Sequence, residues 1–552
     1  MKERLGLFYR DHIVSIFWVL CWVVSAHAAP RPNILFIAVD DLRPALGCYG
    51  DPIMQAHNGT LRIDALANQG TTFMNHHVAL PICGASRASL TTGLMPEEHG
   101  VLVFSALRHP TAGLPNAVTL PQYFKNNGYT TAARGKFHDG RTVGDTTQPL
   151  QKIGKDERFP HGNEVDDPIS WTFSFEGAFS GASGITDYTG NPSFFAGPNE
   201  DEGATYVDTY TVERAAYLLD TLEAGDKPFF LAVGFAKPHL PFVAPRRFWD
   251  LYDINSNGEY DDDFPMPEFP RSPTHAPGRF SGVYELGSYD DFSSNTAPTD
   301  PAVIRELRHG YYACVSMVDE YVGDVLDYLA TKDDPVQRGK KMDETTIIVF
   351  WGDHGFVLGE HNRWAKHIDD ELSSWAPLII YDPRNPGNGA KTMTPVSTLD
   401  IFPTLCELAG LPAPSQPIDN DTPTGRPLRG RSLVPILNDP TVSVNGGALI
   451  HKWIGGTTYI YRTDRYRLIE DYKGRSVSER QLYDLGTNRI ERINVAGDPA
   501  YAAVLHELST AMRHEPVAQA VPQVMNSSAV PAPRGSDLRC IQEPVGGTTL
   551  EK

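Results

Sequence analysis

The sequence contains little cysteine and no block of basic residues. Six cysteines among 552 residues are too sparse to form a disulfide scaffold. The formal net charge is −20, which argues against nucleic acid as a partner. An overall field of this sign does not attract an anionic substrate either. Any anion site therefore has to be a local cluster of Lys, Arg and His side chains.

Long apolar runs are also lacking, except near the N-terminus. Residues 1–28 combine a positive start (MKERLGLFYR), an apolar run (IVSIFWVLCWVV) and small residues (SAHAA). The apolar run is shorter than the ~20 residues that span a bilayer, so this pattern is typical of a cleaved signal peptide rather than of a membrane anchor. We expect the mature chain to begin near Ala29, to be periplasmic or secreted, and to keep no stable membrane span.

Export makes the cysteine count informative. Cys21 leaves with the signal peptide, and five cysteines remain: Cys48, Cys83, Cys314, Cys406 and Cys540. An odd number in an oxidising compartment predicts that one is left over, free or chemically special.

Short apolar runs alternate with helical patterns over the first four hundred residues. The runs NILFIAV, FFLAVGF, TIIVFWG and PLIIY are typical of buried strands in a largely parallel sheet. Helical patterns between them, at 121–128, 212–225 and 309–330, predict an α/β fold in which helices sandwich the sheet. We assign 29–440 to this large domain.

The pattern of apolar and polar residues changes after about residue 440. Alternating apolar and polar positions predict antiparallel strands followed by a helix, so we assign 441–514 to a smaller α+β subdomain. The remainder, 515–552, is rich in Pro, Ala, Ser and Gly and is predicted to be a disordered tail. Two loop-rich segments, 140–205 and 250–303, are expected around the mouth of a site.

Side chains of the types that bind metals follow two of the predicted strands directly. Asp40 and Asp41 come after NILFIAV, and Asp353 and His354 come after TIIVFWG. Ligands of α/β sheets bind outside the carboxyl ends of the strands, and mostly oxygen donors favour Ca²⁺ or Mg²⁺. A solvated turn is the alternative at either position alone, and the coincidence of two strand ends favours a metal site.

Basic residues cluster near the same strand ends. Lys136 and His138, Lys237 and His239, and Lys366 are each weak signals when taken singly. Together with Arg87 they would supply the local positive cluster that an acidic protein needs to hold an anion.

Five separated segments between about residues 30 and 500 share one pattern of motifs. They are RPNILFIAVDDLRPALGCYGD, PQYFKNNGYTTAARGKFH, PFFLAVGFAKPHLPF, DHGFVLGEHNRWAKH and QLYDLGTNRIERINVAGDP. In order and approximate spacing they resemble the formylglycine-dependent type I sulfatases of the alkaline phosphatase-like superfamily, and within them the iduronate-2-sulfatase group. The resemblance implies an alkaline phosphatase-like fold and an enzyme that hydrolyses sulfate esters.

The resemblance also implies a role for Cys83. Sulfatases carry a C-x-P/A-S-R motif whose cysteine is oxidised to formylglycine (3-oxoalanine) during export, and this chain has CGASR from Cys83 to Arg87. A formylglycine-generating or anaerobic sulfatase-maturing enzyme would then be a partner. The hydrated aldehyde would attack sulfur, form a covalent sulfo-enzyme, and release inorganic sulfate.

Carried over by position, the family's roles assign a site. The metal shell for one Ca²⁺ would be Asp40, Asp41, Asp353, His354 and the modified residue 83. Arg87 and Lys136 would fix the diol and the sulfate oxygens, and His138 would be the base of the elimination step. His239 and Lys366 would hold the sulfate, and one of them would protonate the leaving sugar oxygen.

The expected substrate is a sulfated carbohydrate, either a glycosaminoglycan or an algal polysaccharide fragment. The spacing of Lys136 and His138, with one residue between them, is commoner in arylsulfatases than in the iduronate-2-sulfatase group. Two alternatives stay open at this point. One is a phosphodiesterase or phosphonate monoester hydrolase of the same superfamily, and the other is a non-catalytic polysaccharide-binding relative in which Cys83 is unmodified.

Overall fold

A computed structural model describes residues 30–514 with internal gaps. The gaps are 103–106, 109–112, 140–150, 153–163, 166, 168, 176–195, 200–205, 259–263, 278–284, 287–296, 420–421, 423–424, 453–456 and 487–488. The predicted signal peptide, Cys540, the predicted tail and most of the 140–205 segment lie outside the described residues.

One eight-stranded sheet forms the centre of the fold. Its strands in chain order are β1 Asn33–Val39, β2 Thr71–Phe73, β3 Thr130–Gly135, β4 Phe173–Phe175, β5 Phe229–Phe235, β6 Thr346–Gly352, β7 Leu378–Tyr381 and β8 Ala390–Thr392. Their spatial order is β8-β2-β7-β6-β1-β5-β3-β4. Strand β7 runs antiparallel to β6 and β2, and the other neighbouring pairs are parallel. The prediction of a mostly parallel α/β sheet is confirmed.

Both faces of this sheet are covered by helices, which explains its continuous apolar strands. The longer helices are α1 Leu61–Gln69, α2 Cys83–Thr92, α3 Leu120–Asn126, α4 Val207–Glu223, α5 Pro301–Thr331, α6 Ile401–Leu408 and α7 Ala502–His514. Alternate residues of β1 enter two separate apolar clusters. Leu35 and Ile37 pack with α1, α4 and α5, whereas Ile34 and Phe36 pack with α2, α3 and α6.

Shorter elements complete the large domain. The short helices are Pro52–His57, Pro96–His99, Arg246–Trp249, Glu371–Ser374 and Val434–Asn438. The two-stranded ladders pair His76–His77 with Val396–Ser397, Gln151–Lys152 with Glu164–Val165, Ala196–Asn199 with Phe242–Pro245, Val357–Leu358 with Trp364–Ala365, and Ser415–Gln416 with Arg426–Pro427. Among the described residues, no helix combines the length and the hydropathy needed to cross a bilayer.

Element positions follow the sequence pattern closely where the strands are buried. The strands at 33–39, 229–235 and 346–352 match the predicted runs residue for residue. Helix α5 begins eight residues before its predicted start, because Asp300 caps its N-terminus through the Ala302 amide and Pro301 occupies its first turn. The run at 377–381 forms an antiparallel strand, a direction that its apolar pattern did not reveal.

A second, four-stranded antiparallel sheet forms the C-terminal subdomain. Its strands are β9 Ala448–Lys452, β10 Thr457–Arg462, β11 Tyr466–Lys473 and β12 Ser476–Asp484, paired in sequence order. Helix α7 and this sheet share an apolar cluster with Ala79 and Met95 of the large domain. The α+β character is confirmed, and the boundary at 440/441 stays a prediction.

A buried ion network also joins the two parts. Glu371 of the large domain binds three arginines of the C-terminal part through its carboxylate. The distances are 2.8 Å to Arg462 Nε, 3.2 Å to Arg467 Nε and 3.3 Å to Arg489 Nη1. Burial alone would raise the pKa of Glu371, but Arg462 and the other cations lower it to about 2.

Replacing Glu371 with Gln should therefore destabilise the protein by about 3–5 kcal/mol, because removing one partner leaves buried charges uncompensated. Denaturant unfolding would measure the change. A lowered pKa means that the stabilisation is present above the unfolded pKa of ~4.3 and is lost as the pH falls towards 2. The matched control is Glu268→Gln, which breaks the exposed 2.5 Å pair with Arg492 and should cost less than about 1 kcal/mol. Equal losses of stability in both variants would contradict the role of Glu371 in joining the large domain to the C-terminal part.

The odd cysteine count predicted one unpaired cysteine, but the structure shows more than one. Cys48, Cys83, Cys314 and Cys406 are all free and buried. Among the described residues, Cys83 therefore stands apart by its surroundings and not because the others pair.

Candidate active site

The register of the sheet brings the predicted acidic residues to one edge. Val39 lies opposite both Gly352 and Phe235, so β1, β5 and β6 end level. The next residues continue the ladder, with Asp40 N donating to Phe235 O at 3.1 Å and Asp353 N donating to Val39 O at 3.1 Å. Their side chains thus emerge together at the carboxyl ends of the parallel strands.

Asp41 turns the chain away from the sheet. Its φ of 58° lies in the left-handed region, which Asp tolerates better than most residues. The Tyr311 hydroxyl donates to Asp41 O at 2.7 Å, and the Asp41 amide donates to Asp353 Oδ1 at 3.0 Å. The two acidic strand ends are therefore tied to each other.

Four predicted residues place ligand atoms within 4.8 Å of one another: Asp40, Cys83, Asp353 and His354, all of them buried. His354 Nδ1 lies 2.9 Å from Gly355 O, which assigns the ring proton to Nδ1. Its Nε2 then directs a lone pair at Asp41 Oδ1, 3.3 Å away, and lies 3.6 Å from Asp353 Oδ1. Acceptors facing each other in this way repel unless a cation or a proton lies between them.

A second observation supports the same fit. Asp41 Oδ2 is buried and has no hydrogen-bond partner in the described part of the chain. Burial raises the pKa of Asp41, although the charge of Lys366 opposes this shift. Burial also raises the pKa of Asp353 well above its usual range, although the charge of Arg87 opposes it. Carboxylates that carry such a cost are stabilised by a hard divalent ion, and three carboxylates with one imidazole could hold Ca²⁺.

Helix α2 brings Cys83 and Arg87 to this group on one face, since they are four positions apart. Cys83 Sγ lies 3.3 Å from His354 Nε2. Arg87 donates from Nε to Asp353 Oδ2 at 3.0 Å and from Nη2 to Asp40 Oδ1 at 3.2 Å. The small residues of CGASRASLTT allow the whole helix to be buried.

Lys136 follows β3 and reaches the same carboxylates. Its Nζ lies 2.5 Å from Asp40 Oδ2. Burial alone would raise the pKa of Asp40, but Lys136 and Arg87 hold it well below its usual range. Gly234 makes room for this approach, because a Cβ there would lie 2.2 Å from the Lys136 carbonyl carbon.

His138 lies two residues further on and is buried. Its ring packs against Phe137 and Trp171, with centroids 5.1 Å and 5.5 Å apart. His138 does not belong to the group of Asp40, Cys83, Asp353 and His354, whose ligand atoms lie within 4.8 Å of one another.

Lys366 and His239 lie on the Asp41 side of the group. Lys366 Nζ donates to Asp41 Oδ1 at 2.6 Å, and His239 Nε2 is 4.0 Å from Asp41 Oδ2. Lys237 does not join them, because its ammonium donates to the backbone carbonyls of His239 and Pro241 at 3.3 Å and 2.5 Å. The expectation that Lys237 belongs to the anion cluster is therefore wrong.

Glu285 is the residue that sequence reasoning missed. Its Oε1 lies 3.0 Å from Lys366 Nζ and 3.3 Å from His239 Nε2. Burial would raise its pKa, but Lys366 and His239 hold it well below the usual range. It lies in the loop-rich segment 250–303, in GVYELGSYD, which has no motif that marks it.

Comparisons with known proteins find related sequences. A family model described as Sulfatase matches residues 32–411, and one described as N-sulphoglucosamine sulphohydrolase, C-terminal, matches 359–517. Iduronate 2-sulfatase of Homo sapiens is 32% identical over 420 residues, covering 69% of this chain and 70% of that protein. A sulfatase of Formosa agariphila is 32% identical over 398 residues, covering 69% and 70%.

A solved structure gives the same fold. It is that of a protein in complex with its substrate, D-glucosamine-2-N,6-O-disulfate, with a TM-score of 0.65 and 20% identity. The superposition covers 90% of this chain and 99% of that one. At this identity the likeness establishes the fold alone.

Proposed function

The chain belongs to the sulfatase family and is a sulfuric ester hydrolase, and on this premise we propose that it removes sulfate from a sulfated carbohydrate with a nucleophile made from Cys83. The observation that carries the proposal is the position of Cys83. Its Sγ lies 3.3 Å from His354 Nε2, beside carboxylates that could hold a metal ion and cationic side chains that could hold an anion. Nucleophile, metal ligands and anion-binding groups thus meet at one strand edge.

The surroundings of Cys83 disfavour an unmodified thiol as nucleophile. Burial and the negative charge of Asp40 raise the pKa of the thiol well above its usual range, and a neutral thiol is a poor nucleophile. We therefore propose that a maturation enzyme converts Cys83 to formylglycine. Its hydrate offers one hydroxyl to attack sulfur and a second whose deprotonation expels sulfate, which a plain serine could not do.

We assign Ca²⁺ to Asp40, Asp41, Asp353 and His354, with residue 83 completing the shell. The ion would supply positive charge that favours a deprotonated nucleophile and offsets the charge of the sulfate.

The remaining roles are carried over from the family, and the contacts of Arg87, Lys136, His239 and Lys366 support them. Asp353 accepts the proton of the attacking hydroxyl, and Arg87 and Lys136 orient the nucleophile and the sulfate oxygens. His138 is the proposed base of the elimination step. His239 and Lys366 bind the sulfate from the Asp41 side.

The substrate class rests on the relatives. A human iduronate 2-sulfatase relative and a C-terminal match to N-sulphoglucosamine sulphohydrolase support a glycosaminoglycan, and an algal polysaccharide fragment stays the alternative substrate. The signal-type N-terminus supports export to the periplasm or the medium.

Mass spectrometry of the tryptic peptide that contains residue 83 tests the nucleophile. We expect the mass of formylglycine in protein produced together with a maturation enzyme. Finding only thiol there would sink the catalytic proposal and favour a binding protein with unmodified Cys83.

A desulfation screen tests the reaction and its substrate. It should include 2-sulfated iduronate and sulfated algal oligosaccharides, with release of inorganic sulfate as the measurement. In parallel, we expect kcat/KM for 4-nitrophenyl sulfate to exceed that for 4-nitrophenyl phosphate by at least about 100-fold. A preference for the phosphate ester would instead identify a phosphate- or phosphonate-directed member of the superfamily.

A further inference from the structure

A cavity of about 310 Å³ opens at the surface of the C-terminal subdomain, between β12, the turn before α7 and α7 itself. Its volume lies at the lower end of the range of small-ligand sites, ~300–1,000 Å³. In the described part of the chain, all of its lining residues lie between 480 and 513, so the cavity is distinct from the candidate active site. Basic and hydroxyl side chains stand out in the lining: Arg480, Arg513, His506, Ser509 and Thr510.

The cavity lies on the face of the four-stranded sheet that α7 covers. Successive strand residues alternate between the two faces, and Leu468 of β11 packs in the apolar cluster with α7. Glu470, two residues further on, shares that face, whereas Arg467 turns to the other face and binds Glu371. The sheet therefore separates the cavity from the ion network that joins the two parts of the protein.

A buried carboxylate holds the two arginines of the cavity. Glu470 is buried, and its Oε1 lies 2.7 Å from Nε of Arg480, its cross-strand partner. Its Oε2 lies 3.7 Å from Arg513 Nη2, which also donates to Ser509 Oγ at 2.9 Å. Because Ser509 in turn donates to Glu470 Oε1 at 2.7 Å, one network orients both guanidinium groups.

The arginines keep donors that this network does not use. A guanidinium has five N–H donors in a rigid fork, and Arg480 gives only its Nε to an acceptor in the described part of the chain. The side chains of Arg480 and Arg513 are 40% and 52% exposed, so solvent reaches both. Asp498 also lines the cavity, but its Oδ1 accepts the Ala500 amide at 2.9 Å and so caps the turn before α7. Two oriented guanidinium groups at one opening match the oxygens of a sulfate or phosphate group.

We propose that this cavity is a second, non-catalytic binding site for a sulfate group on a polysaccharide chain. Arg480 and Arg513 bind the sulfate oxygens, and His506 and Thr510 line the space beside them. The choice of ligand rests on the proposed function. A chain held both here and at the active site raises the effective concentration of its remaining sulfate esters. A local cationic site is required for this, because a net charge of −20 does not attract a polyanion.

Binding is tested with dextran sulfate, and with uncharged dextran and inorganic sulfate as comparison probes. Isothermal titration calorimetry measures Kd for the wild type and for the double variant Arg480→Gln/Arg513→Gln, independently of turnover. We expect Kd for dextran sulfate to rise at least about 10-fold in the variant. Equal Kd values for variant and wild type overturn the inference, and so does a wild type that binds inorganic sulfate as tightly as the polymer.

The control for charge is Arg247→Gln/Arg492→Gln, which removes two exposed arginines outside the cavity. They pair with Glu320 at 2.7 Å and with Glu268 at 2.5 Å, and their loss changes the net charge by the same amount. Since solvent and salt screen such charges, Kd should stay within about 2-fold of the wild-type value. An equal rise of Kd in both double variants would show non-specific attraction and overturn the inference.

Gly497 allows a test that leaves the ion network intact. It lines the cavity, and no heavy atom of the described residues other than its chain neighbours lies within 4 Å of a Cβ added there. Gly497→Phe should therefore fill the opening without displacing the arginines and raise Kd for dextran sulfate at least about 10-fold. The matched small change, Gly497→Ala, should bind like the wild type. Unchanged binding in Gly497→Phe would overturn the inference even where the arginine variants bind weakly.

An activity readout separates this inference from the proposed function. It compares kcat/KM on a long sulfated oligosaccharide from the screen with kcat/KM on 4-nitrophenyl sulfate, which is too small to reach both sites. In Gly497→Phe the loss on the oligosaccharide, mainly a higher KM, should exceed the loss on the small ester at least about 10-fold. Equal losses on both esters overturn the inference. A wild type that binds dextran sulfate but releases no sulfate from any ester overturns the proposed function instead.

Discussion

Cys83→Ala should lower kcat for sulfate release by at least about 10⁴-fold while the protein stays folded, because losing a covalent nucleophile removes the reaction path itself. Cys83 is buried at the start of α2, with its Sγ 3.3 Å from His354 Nε2. The change deletes only this sulfur, and the helix keeps its small-residue packing. Sulfate release and the thermal unfolding midpoint are the two measurements.

A matched cysteine provides the control. Cys406 is also buried and free but packs in the apolar cluster of α6. Cys406→Ala should leave a small cavity, lower the unfolding midpoint and keep kcat within about 3-fold. A Cys83→Ala protein that retains turnover would show that another group attacks sulfur.

Cys83→Ser refines the same result. A serine hydroxyl could take up the sulfuryl group but has no second hydroxyl on the same carbon to expel it. We expect at most one turnover, after which intact-protein mass spectrometry detects an added SO₃ unit on the peptide with residue 83. Continued turnover in this variant would contradict the two-hydroxyl mechanism.

Calcium should stabilise the folded protein, and Asp40→Asn should remove most of that effect. Asp40 and Asp353 place carboxylate oxygens near His354 Nε2 in one buried group, and Asp41 Oδ1 lies 3.3 Å from the same nitrogen. A ligand at 100 times its Kd adds about 2.7 kcal/mol to the free energy of unfolding. Thermal unfolding with Ca²⁺ and with a chelator measures this independently of activity.

In Asp40→Asn we expect the calcium Kd to rise by at least about 100-fold, since one charged ligand of a hard cation is lost. Asp319→Asn is the control. Asp319 is similarly buried but accepts the backbone amides of Arg62 and Ile63 at 3.0 Å and 2.7 Å, outside the candidate metal site. Its calcium response should match that of the wild type. An unfolding midpoint that changes with neither Ca²⁺ nor the chelator would contradict the proposed calcium site.

The sequence by itself determined the frame of the site. Continuous apolar runs predicted the strands at 33–39 and 346–352, and parallel strands end at one edge of a sheet. Asp40 and Asp353 were therefore expected at the same edge of the sheet. The helix that carries Cys83 and Arg87 was not among the predicted helical patterns, and only the family motif linked the two residues; the structure shows that they share a helix face.

Only the tertiary structure decided the contacts made by loops. Glu285 lies in a segment without periodicity, and its position between Lys366 and His239 depends on the path of the chain. The same holds for Lys237, which turns to backbone carbonyls, and for the strand at 378–381, whose direction reverses. Periodic patterns encode the faces of helices and strands. Loop side chains are directed by long-range packing, which no local pattern records.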